Sequence, residues 1–404
     1  MRIPKPIRKY PQKTLKLPTR TMTSATATTS RLDRFLAAQQ SLYGPNLHST
    51  PDPQTWTPPP NSGGHKGRYL WTDAFGVLNF ITLHRETSRH NTDKNNPYLT
   101  LARRLVSTVH DTLGRTRDAT NPTRLPGATE ANPLGGGLRI GKQDEHGPDG
   151  DGQYHHYLTL WMFALNRLSL ATGDATYNHQ AVSLARAIHP KFILHRESAR
   201  PRMVWKMAAD LSRPLVSSEG NLDPLDGFVV FRLLQAADRG GGPVLEDEIE
   251  DYRRVMARKG SHFVSSDPLD LGMSMWTAHW FVGKEGWATR LAEQCFEQIY
   301  DLFELNHFLN RNIQRRLAFR EFGTGLGLQC MAGQSSEKDR AVDLTQYAQA
   351  ILDAWDPYMR VSPESSTTPE DLRPITRVMY AAALIPGAFQ RGYLGPEPSG
   401  LPEQ

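Results

Sequence analysis

From Trp71 onward the chain alternates between two kinds of helical segment, and this alternation constrains its fold more than any other feature. One kind is amphipathic. In 97–113, Tyr98, Leu101, Leu105, Val109 and Leu113 fall on one helical face; in 174–188, Tyr177, Ala181, Leu184 and Ile188 do the same. In 285–304, Trp287, Leu291, Cys295, Ile299 and Leu302 repeat the pattern, and 244–259 and 342–355 carry weaker versions. Apolar residues three and four apart give a helix one dry and one wet face. The other kind is apolar on most faces and rich in glycine, alanine and aromatics: 71–84, 153–171, 225–237, 271–283, 322–332 and 374–388. A helix with no wet face is buried on all sides.

Six buried-type segments thus alternate with about five surface-type ones, and the later starts recur roughly every 50 residues, a helical-hairpin period whose units must stack on their neighbours. Period-two alternation long enough for a sheet is absent. The expected fold is all-α, an (α/α)6 toroid of six hairpins, with an irregular helical bundle as the alternative. Its domain spans 31–390, behind a disordered basic tail at 1–30 and ahead of a flexible tail at 391–404. A short helix is expected at 31–43, stopped by Gly44 and Pro45, and an irregular Pro/Gly-rich segment follows at 45–68.

The net charge of +5 is unevenly placed. Residues 1–32 hold eight Lys or Arg and no acid, which leaves 39 basic against 42 acidic residues in the body. A basic chain suggests nucleic acid, but here the basicity belongs to the tail, and no basic helical stripe follows. Two cysteines, Cys295 and Cys330, exclude a disulfide framework and read as buried thiols. No run approaches the ~18–20 apolar residues of a membrane span, and the N-terminus lacks the apolar core of a secretory signal. The acid-free, Ser/Thr-rich tail reads as a disordered cytoplasmic extension or, alternatively, as a mitochondrial transit peptide. Pro4, Pro6, Pro11 and Pro18 oppose the helix a transit peptide needs.

Polar residues cluster where the buried segments begin: Asp73 after Trp71, Asp149 to Tyr157, Asp223 and Asp226, Asp267 and Asp270, and Arg320 with Glu321. In a ring whose inner helices start at one end, these groups converge on one mouth. Each aspartate is also a good N-cap. The candidate acid–base residues are Asp73, Asp151, Asp226, Asp270 and Glu321, with Asp73 and Asp151 the leading pair. His155 and His279 are the candidates for histidine chemistry. His155 is expected to face the cavity and His156 to pack between helices. Both also fit ordinary core positions, as does the aromatic box of Trp276, His279 and Trp280. Candidate substrate contacts are Trp71, Tyr154, Trp161 and Trp276 as stacking faces, Arg139 as a carboxylate fork, and Lys142 and Gln153 nearby. Metal and cofactor motifs are missing. Gln143 follows Gly141-Lys142 where a phosphate loop needs Ser or Thr, HExxH does not occur, and Asp149 and Asp151 lack the EF-hand spacing. No metal and no cofactor are expected.

The alternating hairpins, the start Trp71-Thr-Asp73-Ala-Phe-Gly76, and the run DGQYHHYLTLWMFALNRLSLATGD from Asp151 to Asp174 resemble six-hairpin glycosidase-like proteins over about residues 65–390. The resemblance implies a saccharide or other small polar substrate at the mouth of a toroid. It implies one of three activities: glycoside hydrolysis or hydration of unsaturated uronyl sugars by paired carboxylates; isomerisation or epimerisation by histidine acid–base chemistry; or carbohydrate binding without catalysis.

Overall fold

The computed structural model describes residues 30–401 apart from 91–95, 148, 239, 241–243, 260–263, 336, 361–368 and 370–371. The expected disordered tail at 1–30 lies, but for Ser30, outside the described residues. Ser30 itself starts the first helix: its hydroxyl accepts from the Asp33 amide while the Asp33 carboxylate accepts from the Ser30 amide, a reciprocal cap.

Twelve α-helices occur among the described residues. They are α1 Arg31–Tyr43, α2 Leu70–His90, α3 Tyr98–Leu113, α4 His155–Thr172, α5 Thr176–Phe192 and α6 Asp223–Ala237, then α7 Glu246–Lys259, α8 Pro268–Ala278, α9 Gly286–Tyr300, α10 Ala318–Ala332, α11 Lys338–Met359 and α12 Arg373–Leu384. Both kinds of sequence segment fall on them. In α4 every residue from Leu158 to Ser169 is buried. In α3 burial follows Tyr98, Leu101, Leu105, Val109 and Leu113 with their flanking neighbours, one face only.

Each even-numbered helix packs on the next, and α12 returns to α2. The odd-numbered helices α3, α5, α7, α9 and α11 each pack behind the preceding inner helix. The last outer place is taken by α1, which packs on α12, so the two ends of the chain make one helix pair. The fold is therefore all-α and toroid-like, with paired hairpins and a closing contact. β-Structure among the described residues amounts to two antiparallel pairs of two-residue strands, Gln153–Tyr154 with Lys206–Met207 and Ile193–Leu194 with Arg202–Met203.

The contact between α8 and α10 depends on missing side chains. A Cβ on Gly327 would stand 2.1 Å from the Gly272 carbonyl oxygen, and one on Gly272 would stand 2.2 Å from that of Gly323. The backbones touch because nothing projects between them.

The C-terminal segment, expected to be flexible from 391, is instead anchored as far as it is described. Phe389 packs among Phe75, Phe163 and Trp276, the Trp276 indole N–H donates to the Phe389 carbonyl (3.1 Å), and Glu397 forms a buried ion pair with Arg167 of α4 (3.0 Å). Cys295 and Cys330 are both buried free thiols. No described helix is long and apolar enough to cross a membrane.

Candidate functional site

The first turns of α2, α4 and α6 meet around one imidazole, that of His156, with Thr277 from the last turn of α8 beside it. Its Nδ1 donates to Asp226 Oδ2 at 2.5 Å, and Asp226 Oδ1 accepts from the Thr277 hydroxyl at 2.9 Å, so the carboxylate that orients the ring is itself held. The ring lies 4.8 Å from Trp71 and 6.3 Å from Tyr157, centroid to centroid. Its side chain is 20% exposed while that of Asp226 is 2% exposed. Nε2 has no hydrogen-bond partner among the described residues. Burial pulls the His156 pKa down, but the Asp226 carboxylate, with Asp223 and Asp270 beyond it, outweighs burial and leaves it above the ordinary 6.5.

The surrounding carboxyls are shifted as well. Burial, helped by Asp226 and opposed by His156, pushes Asp223 up to about 6. Burial and the neighbouring Asp267 raise Asp270, against His156 and Arg320. Two carboxyls whose pKa values are raised thus stand near an imidazole whose pKa is raised as well.

His155 and His156 exchange the places expected of them. His155 is fully buried against Phe192 and Tyr252, and His156 reaches the mouth. Consecutive helical residues point about 100° apart, so only one of the two can face the cavity. Phe192 of α5 and Tyr252 of α7 claim the other.

The remaining candidates are not brought into one group. Asp73 is fully buried and accepts from Ser62 (2.5 Å), Tyr43 (3.0 Å) and Arg68 (3.4 Å) through a single oxygen. Asp151 receives Arg139 (2.5 Å) and Arg117 (3.1 Å) on one oxygen and the amides of Gly141, Lys142 and Gly152 on the other. Arg139 is thereby spent inside the protein, donating also to the carbonyls of Arg115 and Thr112. Glu321 is clasped by both arms of Arg316 and by the Trp355 indole. These three carboxylates brace loops and first turns. The helix cap among the aspartates is Asp267, which accepts from the amides of Leu269 and Asp270.

His279 does not face His155. Its Nδ1 donates to the Trp276 carbonyl and its Nε2 accepts the Arg391 amide (3.1 Å), with burial first among the causes that lower its pKa to about 3. Trp276 and Trp161 are core residues, the latter donating to His110 Nε2 (3.1 Å). Gln153 ties the carbonyls of Gly136 and Ala209 together. Trp71 is likewise buried, packed on Phe75, His156 and Tyr157, whereas Tyr154 is partly exposed and stands edge-on to Tyr157 and Trp205.

A cavity of about 250 Å³ is lined by Ser62, Tyr69, Thr72, Lys142, Asp149 and Ile375, and His156, Asp223, Asp226 and Asp270 are not part of its lining. Lys142 closes on Asp149 at 3.0 Å on its rim. A larger groove of about 520 Å³ lies on the outside, along α5 near His179 and Arg186. It is lined by His179 and Asp238, whose ring and carboxylate stand 3.6 Å apart, too far for a hydrogen bond. The His156 cluster is the better candidate because its imidazole is hydrogen-bonded to a carboxylate that Thr277 holds in turn. Among the described residues no group of three or more His, Cys, Asp or Glu is arranged to hold a metal ion.

The sequence pattern pointed at the mouth but missed His156, Asp223 and Thr277 as members. The available signal was the pairing of two consecutive histidines with two acids three apart, since residues three apart share a helical face. Comparison with family models, curated proteins and solved structures finds no match for the chain.

Proposed function

We propose that the protein is an acid–base enzyme of six-hairpin glycosidase-like architecture acting on a small, polar, carbohydrate-like substrate at the mouth of the ring. The observation that carries this reading is His156: partly exposed, without an Nε2 partner among the described residues, and fixed at Nδ1 by a carboxylate that is itself held. That arrangement suits a proton acceptor, because the carboxylate sets the tautomer and stabilises the imidazolium that forms. Asp223 and Asp270, both inclined to keep a proton, serve as the complementary acid. Tyr69, Tyr154 and Tyr157, all partly exposed, offer faces for a sugar ring, and Ser62, Lys142 and Asp149 offer polar contacts to its hydroxyls. Asp73 and Asp151 are assigned supporting roles, since each already carries an arginine.

Proton transfer on a free sugar is favoured over glycoside cleavage because the exposed group is an imidazole and the acids behind it are buried. The test is a panel of free reducing sugars in deuterated water, followed by NMR, beside a panel of glycosides followed by reducing-end release. Deuterium wash-in next to the carbonyl is expected, and His156→Ala should lower it by about 10²–10⁴-fold. The rate should rise with pH along a limb above 6.5, since the base acts when neutral and its carboxylate neighbours raise its pKa. Undiminished turnover in His156→Ala would overturn the assignment, and reducing-end release without wash-in would move the reading to hydrolysis.

A further inference from the structure

Beside the His156–Asp226 pair lies a second pairing, of His155 with Asp223. His155 and His156 are consecutive on α4, and Asp223 and Asp226 lie one turn apart on α6, so each histidine addresses its own aspartate. In this inner pair the His155 side chain is 0% exposed and the Asp223 side chain 8%, so only Asp223 keeps an opening to the surface.

His155 Nε2 is 2.6 Å from the Tyr252 hydroxyl. Burial keeps that phenol protonated, with its pKa well above 10, and burial also keeps His155 neutral. The phenol then donates, Nε2 accepts, and the imidazole proton sits on Nδ1. Nδ1 in turn lies 3.7 Å from Asp223 Oδ1, too far for a hydrogen bond. Neither atom has another hydrogen-bond partner among the described residues. A buried donor and acceptor left facing one another demand an explanation. One is supplied by catalysis, because contacts that are slack without substrate often tighten in the reacting complex.

We infer that His155, held by Tyr252 as its Nδ1–H tautomer, is a positioning residue that closes on Asp223 Oδ1 when Asp223 releases its proton, which makes Asp223 the acid opposite His156. This rests on the acid–base reading of the mouth. In the step, His156 Nε2 takes one proton from the substrate and the Asp223 carboxyl gives one to it. The resulting imidazolium is stabilised by Asp226, and the resulting carboxylate by the His155 Nδ1–H. Reverse transfer through product or solvent restores both groups, and no co-reactant is consumed. The titratable and charged groups facing the inner pair are His156 on α4, His189 on α5, Asp226 on α6, and Glu248, Asp251 and Lys259 on α7. None of them sets a hydrogen-bond donor on Asp223 Oδ1.

The test is NMR of the intact protein labelled with nitrogen-15 in its histidines and carbon-13 in its aspartates. His155 is expected to show a protonated Nδ1 and a bare Nε2, and to stay neutral between pH 8 and pH 5. Tyr252→Phe should release that bias and populate the Nε2–H tautomer. His155→Gln should move the Asp223 titration upward by about 1 pH unit, since a hydrogen bond to the charged form is lost. An Nε2–H tautomer in the unaltered protein overturns the inference, as does an unmoved Asp223 titration in folded His155→Gln. Should that variant not fold, the tautomer and its response to Tyr252→Phe decide alone. The His156 resonance reports separately: a His156 that titrates below 6.5 removes the acid–base reading even where the His155 tautomer is as expected.

Discussion

Burying Asp223 disfavours the folded chain most where its carboxyl is charged. The folded pKa, raised to about 6 from 3.8 mainly by burial, means the group contributes its full stability below pH 3.8 and loses it as pH rises through about 6. Asp223→Asn should therefore gain on the unaltered protein by roughly 2–3 kcal/mol between pH 4 and pH 7, read from urea unfolding at each pH. A flat difference curve would show that Asp223 is not buried as described. His156 acts in the same direction at higher pH: its raised pKa adds stability that fades as pH climbs past 6.5. At this scale the sequence was partly legible. Its consecutive histidines and its Asp223–Asp226 spacing were visible as residue types. Which histidine faced the mouth was not, because that choice belongs to Phe192 and Tyr252, which stand 37 and 97 positions beyond His155. The roles expected of Asp73, Asp151 and Glu321 were read from position alone, whereas their arginine partners decide what they do.

Helices were the most legible level, since the dry face of α3 and the all-round burial of α4 are direct consequences of where the apolar residues recur. The 322–332 run was readable as buried, yet its three glycines looked alike, and neighbours make them different. Gly327 meets the α8 backbone, whereas a Cβ on Gly325 would find only the Ala383 Cβ at 3.8 Å. Gly327→Ala should push α8 and α10 apart at a cost of about 1–3 kcal/mol. Gly325→Ala should stabilise by about 0.5–1 kcal/mol, because alanine loses less backbone freedom in a helix. A pair of thermal melts checks both, and equal shifts would contradict the described crossing. The excursion between α5 and α6 was not legible. Its two-residue strands are too short to show a period, yet the Trp205 carbonyl there accepts the His155 amide at the start of α4 (3.1 Å).

Closure of the whole ring depends on the two chain ends, which sequence composition describes least well. The stretch after Arg391 is rich in glycine and proline and reads as a tail, and its partner, Arg167, is 230 positions away. In the folded chain Arg167 is buried among the Phe163 and Trp280 rings, with its charge answered by both oxygens of Glu397. The Glu397 side chain is itself only 5% exposed. Burial lowers the Arg167 pKa and Glu397 opposes that loss, so the ion pair and the docking of the segment are one event. Removing one partner strands a charge in the interior, which typically costs about 3–5 kcal/mol, whereas replacing both with apolar residues of similar size is often neutral. Glu397→Ala should therefore unfold at markedly lower urea than the unaltered protein, and Arg167→Met combined with Glu397→Leu should recover most of the loss. The contrast separates a buried charge from mere contact area: if the double variant is weaker than Glu397→Ala, packing rather than charge holds the segment. If Glu397→Ala is silent, the C-terminal segment is not docked on α4 in solution as described.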